Sequence, residues 1–218
     1  MTETRKIPTH EVTYARLRDM ILFGVLEPGQ PVTIQGLVSD LGAGMTPVRE
    51  AIRRLTAEGA LLPQGNRRVT VPQMTGAILD QVAFARATVE PKLAELACAA
   101  LTPAIIDRLA AMDQRVNRAI AAGEITAYLQ ANHAFHFALY ELSGAAVLLD
   151  IARSLWLRFG PALRVVSGRS GALGLPDLHA EALSAMRARD AAALAGAIGR
   201  DIAQGVGLVR VALDQGGI

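Results

Sequence analysis

Thr46-Pro47-Val48-Arg49-Glu50-Ala51-Ile52-Arg53-Arg54-Leu55 is the stretch on which the reading of the fold turns. Val48, Ala51, Ile52 and Leu55 recur at i, i+3, i+4 and i+7, which is one apolar stripe of a helix. Arg49 and Arg53 then stand one turn apart on another face, with Arg54 beside them. Thr46 is placed as the N-cap, Pro47 at the first helical position, and Glu50 brings negative charge to the first turn. Upstream, Thr33 caps a shorter helix through Leu41, and Gly42-Ala43-Gly44 turns the chain between the two. Helix, short glycine turn and basic helix together make a helix-turn-helix. Before it, a helical run reaches Phe23 and breaks at Glu27-Pro28-Gly29-Gln30-Pro31. After Gly59, Leu61 to Gln64 and Arg67 to Val71 flank Gly65-Asn66, a hairpin signal with a basic tip that adds a wing.

This geometry points to DNA. A helix whose exposed face carries arginines can lie in the major groove, where guanidinium forks meet guanine or phosphate, and a basic hairpin reaches the neighbouring backbone. The alternative is a helical hairpin with solvated arginines. Charge adds a little: residues 1–74 hold nine basic and seven acidic residues, whereas residues 75–218 hold thirteen of each, so all of the net +2 lies in the first part.

The whole chain has 218 residues, 51% of them hydrophobic and 19% charged, which excludes intrinsic disorder and leaves enough apolar side chain for a core. Aromatics are scarce and Ala and Leu abundant, so the fold class is mainly α. The longest stretch free of charge, Ile125 to Tyr140, includes Gln130, Asn132, His133 and His136 and is no membrane span. The N-terminus lacks the apolar core of a secretory signal, and a cytoplasmic location is expected. Cys98, the single cysteine, sits in an apolar run as a small buried hydrophobe.

From Tyr14 to Thr70 the chain resembles the winged-helix DNA-binding domain of the GntR superfamily of bacterial transcription regulators. The resemblance rests on Ile21 to Gly29, Thr46 to Leu55 and Glu58-Gly59-Ala60-Leu61. It implies binding to a palindromic double-stranded operator as a homodimer, with Thr46, Arg49 and the wing around Gly65 and Asn66 at the DNA; Arg53, Arg67 and Arg68 join them as basic neighbours. Gly44-Met45 stands where the family usually has Ser-Arg, which removes one contact.

The second part, 75–218, reads as helices near 75–100, 103–121, 124–142, 146–167, 177–188 and 190–213, a bundle of six to seven. The short link from Pro72 to Thr75 would let helix shifts alter the separation of two wings. Three helices carry polar residues on apolar lines: Asn132 and His136 in the third, His179 in the fifth and Asp201 in the sixth. Four buried polar groups aimed inward must face one another or a shared ligand. Two imidazoles, a carboxylate and an amide oxygen suit a divalent transition metal, zinc first, with manganese, nickel or iron as alternatives; a satisfied hydrogen-bond network is the other reading. His133 and His10 are expected at the surface.

Residues from about Ala83 to Asp201 resemble the all-helical FCD effector domain of the FadR-type branch, through Arg86 with Glu90, Asn132-His133-Ala134-Phe135-His136, and His179 followed by Arg189-Asp190. The family's ligand set of one Asp and three His would fall here on Asn132, His136, His179 and Asp201, with the aspartate become Asn and the last histidine become Asp. Effectors of this branch are small organic acids, so Arg86, His136 and His179 are the expected effector-binding residues. Arg86 could grip a carboxylate or pair with Glu90 at i, i+4; Arg158 and Arg164 are weaker candidates. The expected function is a transcription regulator, a repressor, without enzyme activity. The rival is an enzyme using a 2-His-1-carboxylate site.

Overall fold

The computed structural model describes residues 9–65, 68–170 and 178–216. The N-terminal part consists of α1 (Thr9–Leu22), β1 (Val32–Thr33), α2 (Ile34–Leu41), α3 (Met45–Ala57), β2 (Leu62–Gln64) and β3 (Arg68–Thr70). Thr33 caps α2 as expected, its hydroxyl accepting from the Gly36 N–H at 3.0 Å. Gly42, in the left-handed region at φ 58°, ends it. The N-cap of α3 is Gly44 and not Thr46: the Gly44 carbonyl accepts the first helical bond, from Val48, and Thr46 is an exposed residue inside the first turn. Pro47 fits there because first-turn N–H groups have no helical acceptor to lose. Val48, Ala51, Ile52 and Leu55 are the buried stripe. The wing is a three-stranded antiparallel sheet in the order β1-β3-β2, with Val32 opposite Val69 and Gln64 opposite Arg68. The strand β1 was not foreseen, since two residues carry no periodicity.

The helical part holds α4 (Gly76–Ala97), α5 (Pro103–Ala122), α6 (Ile125–Tyr140), α7 (Ala146–Ser170), α8 (Leu178–Ala188) and α9 (Ala191–Asp214), with 3-10 turns at Cys98–Ala100 and Glu141–Ser143. Thr75, Thr102 and Asp190 cap α4, α5 and α9 through their side chains. The helix α7 runs to Ser170, past the end expected at residue 167. No helix among the described residues is long and apolar enough to cross a membrane.

The two parts share one apolar core. Leu17, Ile21 and Leu55 of the first belong to the same buried cluster as Phe135, Trp156 and Leu194 of the second. The contact is close where α1 meets α7: a Cβ added at Gly160 would overlap the Leu22 carbonyl oxygen. Gly59, at φ 72°, is left-handed and leaves room for the Arg158 guanidinium, which donates to the Glu58 carbonyl at 2.8 Å. Arg164 packs on Gly24 in the same way. Arg158 and Arg164, candidates for a ligand, are therefore taken up by the junction between the two parts.

Candidate functional site

The centre of the bundle gathers polar side chains from six helices. Glu90 of α4, fully buried, accepts four hydrogen bonds: from Arg86 Nε at 2.5 Å and Nη2 at 3.3 Å, from the Tyr140 hydroxyl at 2.8 Å and from Trp156 Nε1 at 2.9 Å. The Arg86 guanidinium lies between the Trp156 and Phe159 rings, 4.7 and 4.4 Å from their centroids. Burial works against its charge, and Glu90 outweighs that and raises its pKa. Of the two roles open to Arg86, the structure realises the ion pair with Glu90; Nη1 has no hydrogen bond among the described residues.

Beyond Tyr140 the network continues through the two buried histidines. His136 Nδ1 lies 3.1 Å from the Tyr140 hydroxyl oxygen. That hydroxyl has one proton, which it donates to Glu90, so it accepts from His136 Nδ1–H. His179 Nδ1 lies 2.8 Å from Asp113 Oδ1, an acceptor, and Asp113 Oδ2 accepts in turn from Asn117 at 3.2 Å. Partners on Nδ1 thus assign the proton of each neutral imidazole to Nδ1 and leave a lone pair on Nε2.

Those two Nε2 atoms face each other at 3.3 Å. Asp201 closes the group, with Oδ2 3.2 Å from His136 Nε2 and Oδ1 4.0 Å from His179 Nε2. Three lone-pair groups converging in a buried site require positive charge between them, a proton or a metal cation. Bonds of about 2.0–2.1 Å to one cation place neighbouring ligand atoms roughly 2.9–3.4 Å apart, so the His136–His179 and His136–Asp201 Oδ2 edges already have the needed length, whereas His179 is nearer the other carboxylate oxygen and would have to close in on the one that coordinates. His136, His179 and Asp201 are also the one group of metal-ligating side chains found among the described residues. Burial raises the Asp201 carboxyl; when a proton bridges the group, the hydrogen bond from His136 Nε2–H, the charge then carried by the imidazoles and that of Arg86 hold it below the usual aspartate value. Asn132, the fourth expected residue, is buried one turn before His136 on the same face and makes no hydrogen bond among the described residues.

Asp113, Asn117 and Tyr140 were missed. The signal for Asp113 was present, since it interrupts the buried line Ile106, Leu109, Val116 of α5 as Asp201 interrupts that of α9. Tyr140 stands at i+4 from His136, the spacing that puts two side chains on one face.

His133 is not at the surface. Its ring stacks on Phe137 at 4.3 Å and meets Trp156 at 5.3 Å and Phe23, just past α1, at 5.8 Å. Burial, then the charges of Arg18, His136 and Arg153, push its pKa down to about 3. The i+1 offset from Asn132 turns it away from the polar centre and toward the N-terminal part of the chain, where it is half-buried. His10 is exposed, as expected.

In the N-terminal part, Arg49 of α3 is exposed and free of ion pairs and hydrogen bonds among the described residues. Arg53 is also exposed, with its guanidinium held by Glu50 at 2.6 and 3.0 Å. Arg54 turns inward, pairing with Glu11 at 2.9 Å and stacking on Tyr14. Arg68 and Gly65 are exposed on the wing; Asn66 and Arg67 lie outside the described residues.

Comparisons with known proteins agree with this architecture. Residues 81–204 match the FCD domain, and residues 9–71 match the family of bacterial regulatory proteins called gntR. The HTH-type transcriptional regulator McbR of Escherichia coli (strain K12) is 31% identical over 147 residues, covering 67% of this chain and 66% of that protein. The Nta operon transcriptional regulator of Aminobacter aminovorans is 32% identical over 130 residues, 59% of this chain and 60% of that one. The matched stretch thus spans just under two thirds of the first relative and less of the second. Among solved structures, E. coli McbR/YncC shares the fold at a TM-score of 0.89 and 24% identity, covering 94% of this chain and 98% of that one. A putative transcriptional regulator from Rhodococcus sp. RHA1 does so at 0.75 and 21%, covering 93% and 98%. Both relatives are named as transcriptional regulators and neither as an enzyme. The chain belongs to the gntR family of bacterial regulatory proteins, in the group whose helical part is an FCD domain.

Proposed function

We propose that the protein is a cytoplasmic repressor that binds a palindromic operator as a homodimer and changes its DNA affinity when a small organic acid enters the helical domain. The observation that carries the DNA half is the exposed Arg49 on α3, unpaired among the described residues, flanked by Arg53 and beside a wing that exposes Arg68. A two-fold dimer presents two such helices to two half-sites.

The effector half rests on the converging acceptors. His136, His179 and Asp201 would hold a divalent cation, zinc first, with the Asn132 amide available on the same face. The cation would supply a fixed positive charge that an effector carboxylate can meet. Arg86, neutralised by Glu90, contributes its Nη1 as a donor and not a net charge, so a carboxylate effector depends on the cation for charge compensation.

A direct test selects bound sequences from randomised duplex DNA and then measures affinity for the selected site. Arg49→Ala is expected to weaken specific binding by about 1–3 kcal/mol while leaving nonspecific binding nearly unchanged. Arg68→Ala is expected to lower affinity evenly across sequences and flatten the salt dependence. An Arg49→Ala protein that is folded and binds the selected site as the wild type does would remove α3 from the reading role.

A further inference from the structure

Each of the two histidines at the centre of the bundle has one nitrogen in the site and the other tied to a group that neither touches the site nor belongs to the set of ligands. His179 is tied to Asp113 of α5, itself buried and held by Asn117 one turn further along the same helix. His136 is tied to Tyr140, itself held by Glu90 of α4. The two ties come from different helices and end differently, one on a carboxylate and one on a phenol.

We propose that Asp113 is a positioning residue for the metal site: its carboxylate fixes the His179 ring in the Nδ1–H tautomer, aims Nε2 at His136 and Asp201, and thereby sets the affinity for the cation. The inference rests on the metal reading above. Three features of Asp113 support it. The Oδ1 contact of 2.8 Å is short enough for a charge-assisted hydrogen bond. Phe135 stacks on the His179 ring at 4.2 Å and fixes its plane, so the remaining freedom is a flip about the ring axis, which the carboxylate decides. Asn117 occupies the other carboxylate oxygen and keeps the group from turning away. A carboxylate behind an imidazole also raises the basicity of the ligating nitrogen, and loss of such an outer partner typically costs 10–100-fold in metal affinity. Tyr140 holds the other imidazole by a neutral hydroxyl, so the two ligands are unequal, and His179 is the stronger donor of the two.

The experiment uses the full chain, stripped of metal, with Zn2+ alone as the probe. Long-range 15N–1H correlation spectra of the metal-free protein report which nitrogen of each histidine carries the proton. Both His136 and His179 are expected as Nδ1–H tautomers, and Asp113→Ala is expected to move His179 toward Nε2–H while leaving His136 as it was. In calorimetric titration the wild type is expected to bind Zn2+, Asp113→Ala about 10–100-fold more weakly, and Asp113→Asn, whose amide oxygen can still accept from Nδ1–H, in between. In a His179→Ala background, Asp113→Ala is expected to have no further effect on affinity, which separates positioning from a general loss of packing. Should Asp113→Ala not fold, Asp113→Asn carries the comparison. Equal Zn2+ affinity in wild type and the Asp113 variants, or a wild-type His179 protonated on Nε2, overturns the proposal. A wild type that binds no metal overturns the metal reading itself, and the tautomer spectra then decide separately whether Asp113 orients the ring.

Discussion

His133 shows how far one residue's neighbours can reverse what its position suggests. It follows Asn132 in α6 and points off the polar line, which read alone means solvent. Here the side it points to is occupied by Phe23, Phe137 and Trp156, so the ring is a half-buried neutral link between the two parts of the chain. The consequence is a pH dependence of known sign. The pKa falls from 6.5 unfolded to about 3 folded, so between those values the unfolded chain binds a proton that the folded chain refuses. Stability from this group is intact above pH 6.5 and is lost as the pH falls below it. At pH 5 the loss is about 2 kcal/mol, an upper figure given the ring's partial exposure. Urea denaturation at pH 7 and pH 5 should show wild type losing more stability than His133→Phe, which keeps an aromatic ring without the proton site. Parallel losses in the two proteins would show that the ring takes up its proton in the folded state.

At the scale of elements, the helices were legible because their signals are local. Thr33, Thr75 and Thr102 each precede a periodic apolar run, and each caps a helix. The recognition helix and its stripe follow from four residues, and His136, His179 and Asp201 from breaks in apolar lines on three helices. What escaped depends on partners remote in sequence. β1 exists because Val32 meets Val69, and Asp113 matters because α8 brings His179 to it; the Arg86–Glu90 pair was one of two roles legible in the i, i+4 spacing, and only the enclosing Trp156 and Phe159 rings were not. Start positions shift for a related reason: Gly44 caps α3 with its backbone alone, which no side chain announces.

Close approach of α1 and α7 was equally hidden, and it yields a paired prediction. Gly160→Ala should destabilise by about 1–3 kcal/mol, since the new Cβ overlaps the Leu22 carbonyl and the helices must part. Gly207→Ala, on the exposed side of α9 with nothing within 4 Å of the new Cβ, should stabilise by about 0.5–1 kcal/mol through helix propensity. Thermal unfolding of both variants beside wild type checks the pair. A more stable Gly160→Ala protein would mean that the contact is looser than described.

At the scale of the whole molecule, the winged-helix part and the FCD part pack on one another across a shared core. Trp156 hydrogen-bonds Glu90 in the polar centre and meets His133, which touches Phe23 beside α1; Arg158 ties α7 to the end of α3. Three side-chain contacts, Glu90–Trp156–His133–Phe23, therefore join the polar centre to the end of α1, and Arg158 separately joins α7 to the end of α3. Such proximity gives a route for coupling but no magnitude; a ligand shifts DNA affinity only by its differential affinity for two arrangements. The measurement that bears most directly on the account is fluorescence-anisotropy titration of the selected operator with metal-free and Zn2+-loaded protein, each with and without a panel of small organic acids. At least one acid, in the presence of Zn2+, is expected to change operator affinity by about 5–150-fold, the span of 1–3 kcal/mol of coupling, and His179→Ala is expected to remove the change while still binding DNA. Operator affinity identical in every state of metal and acid would contradict it.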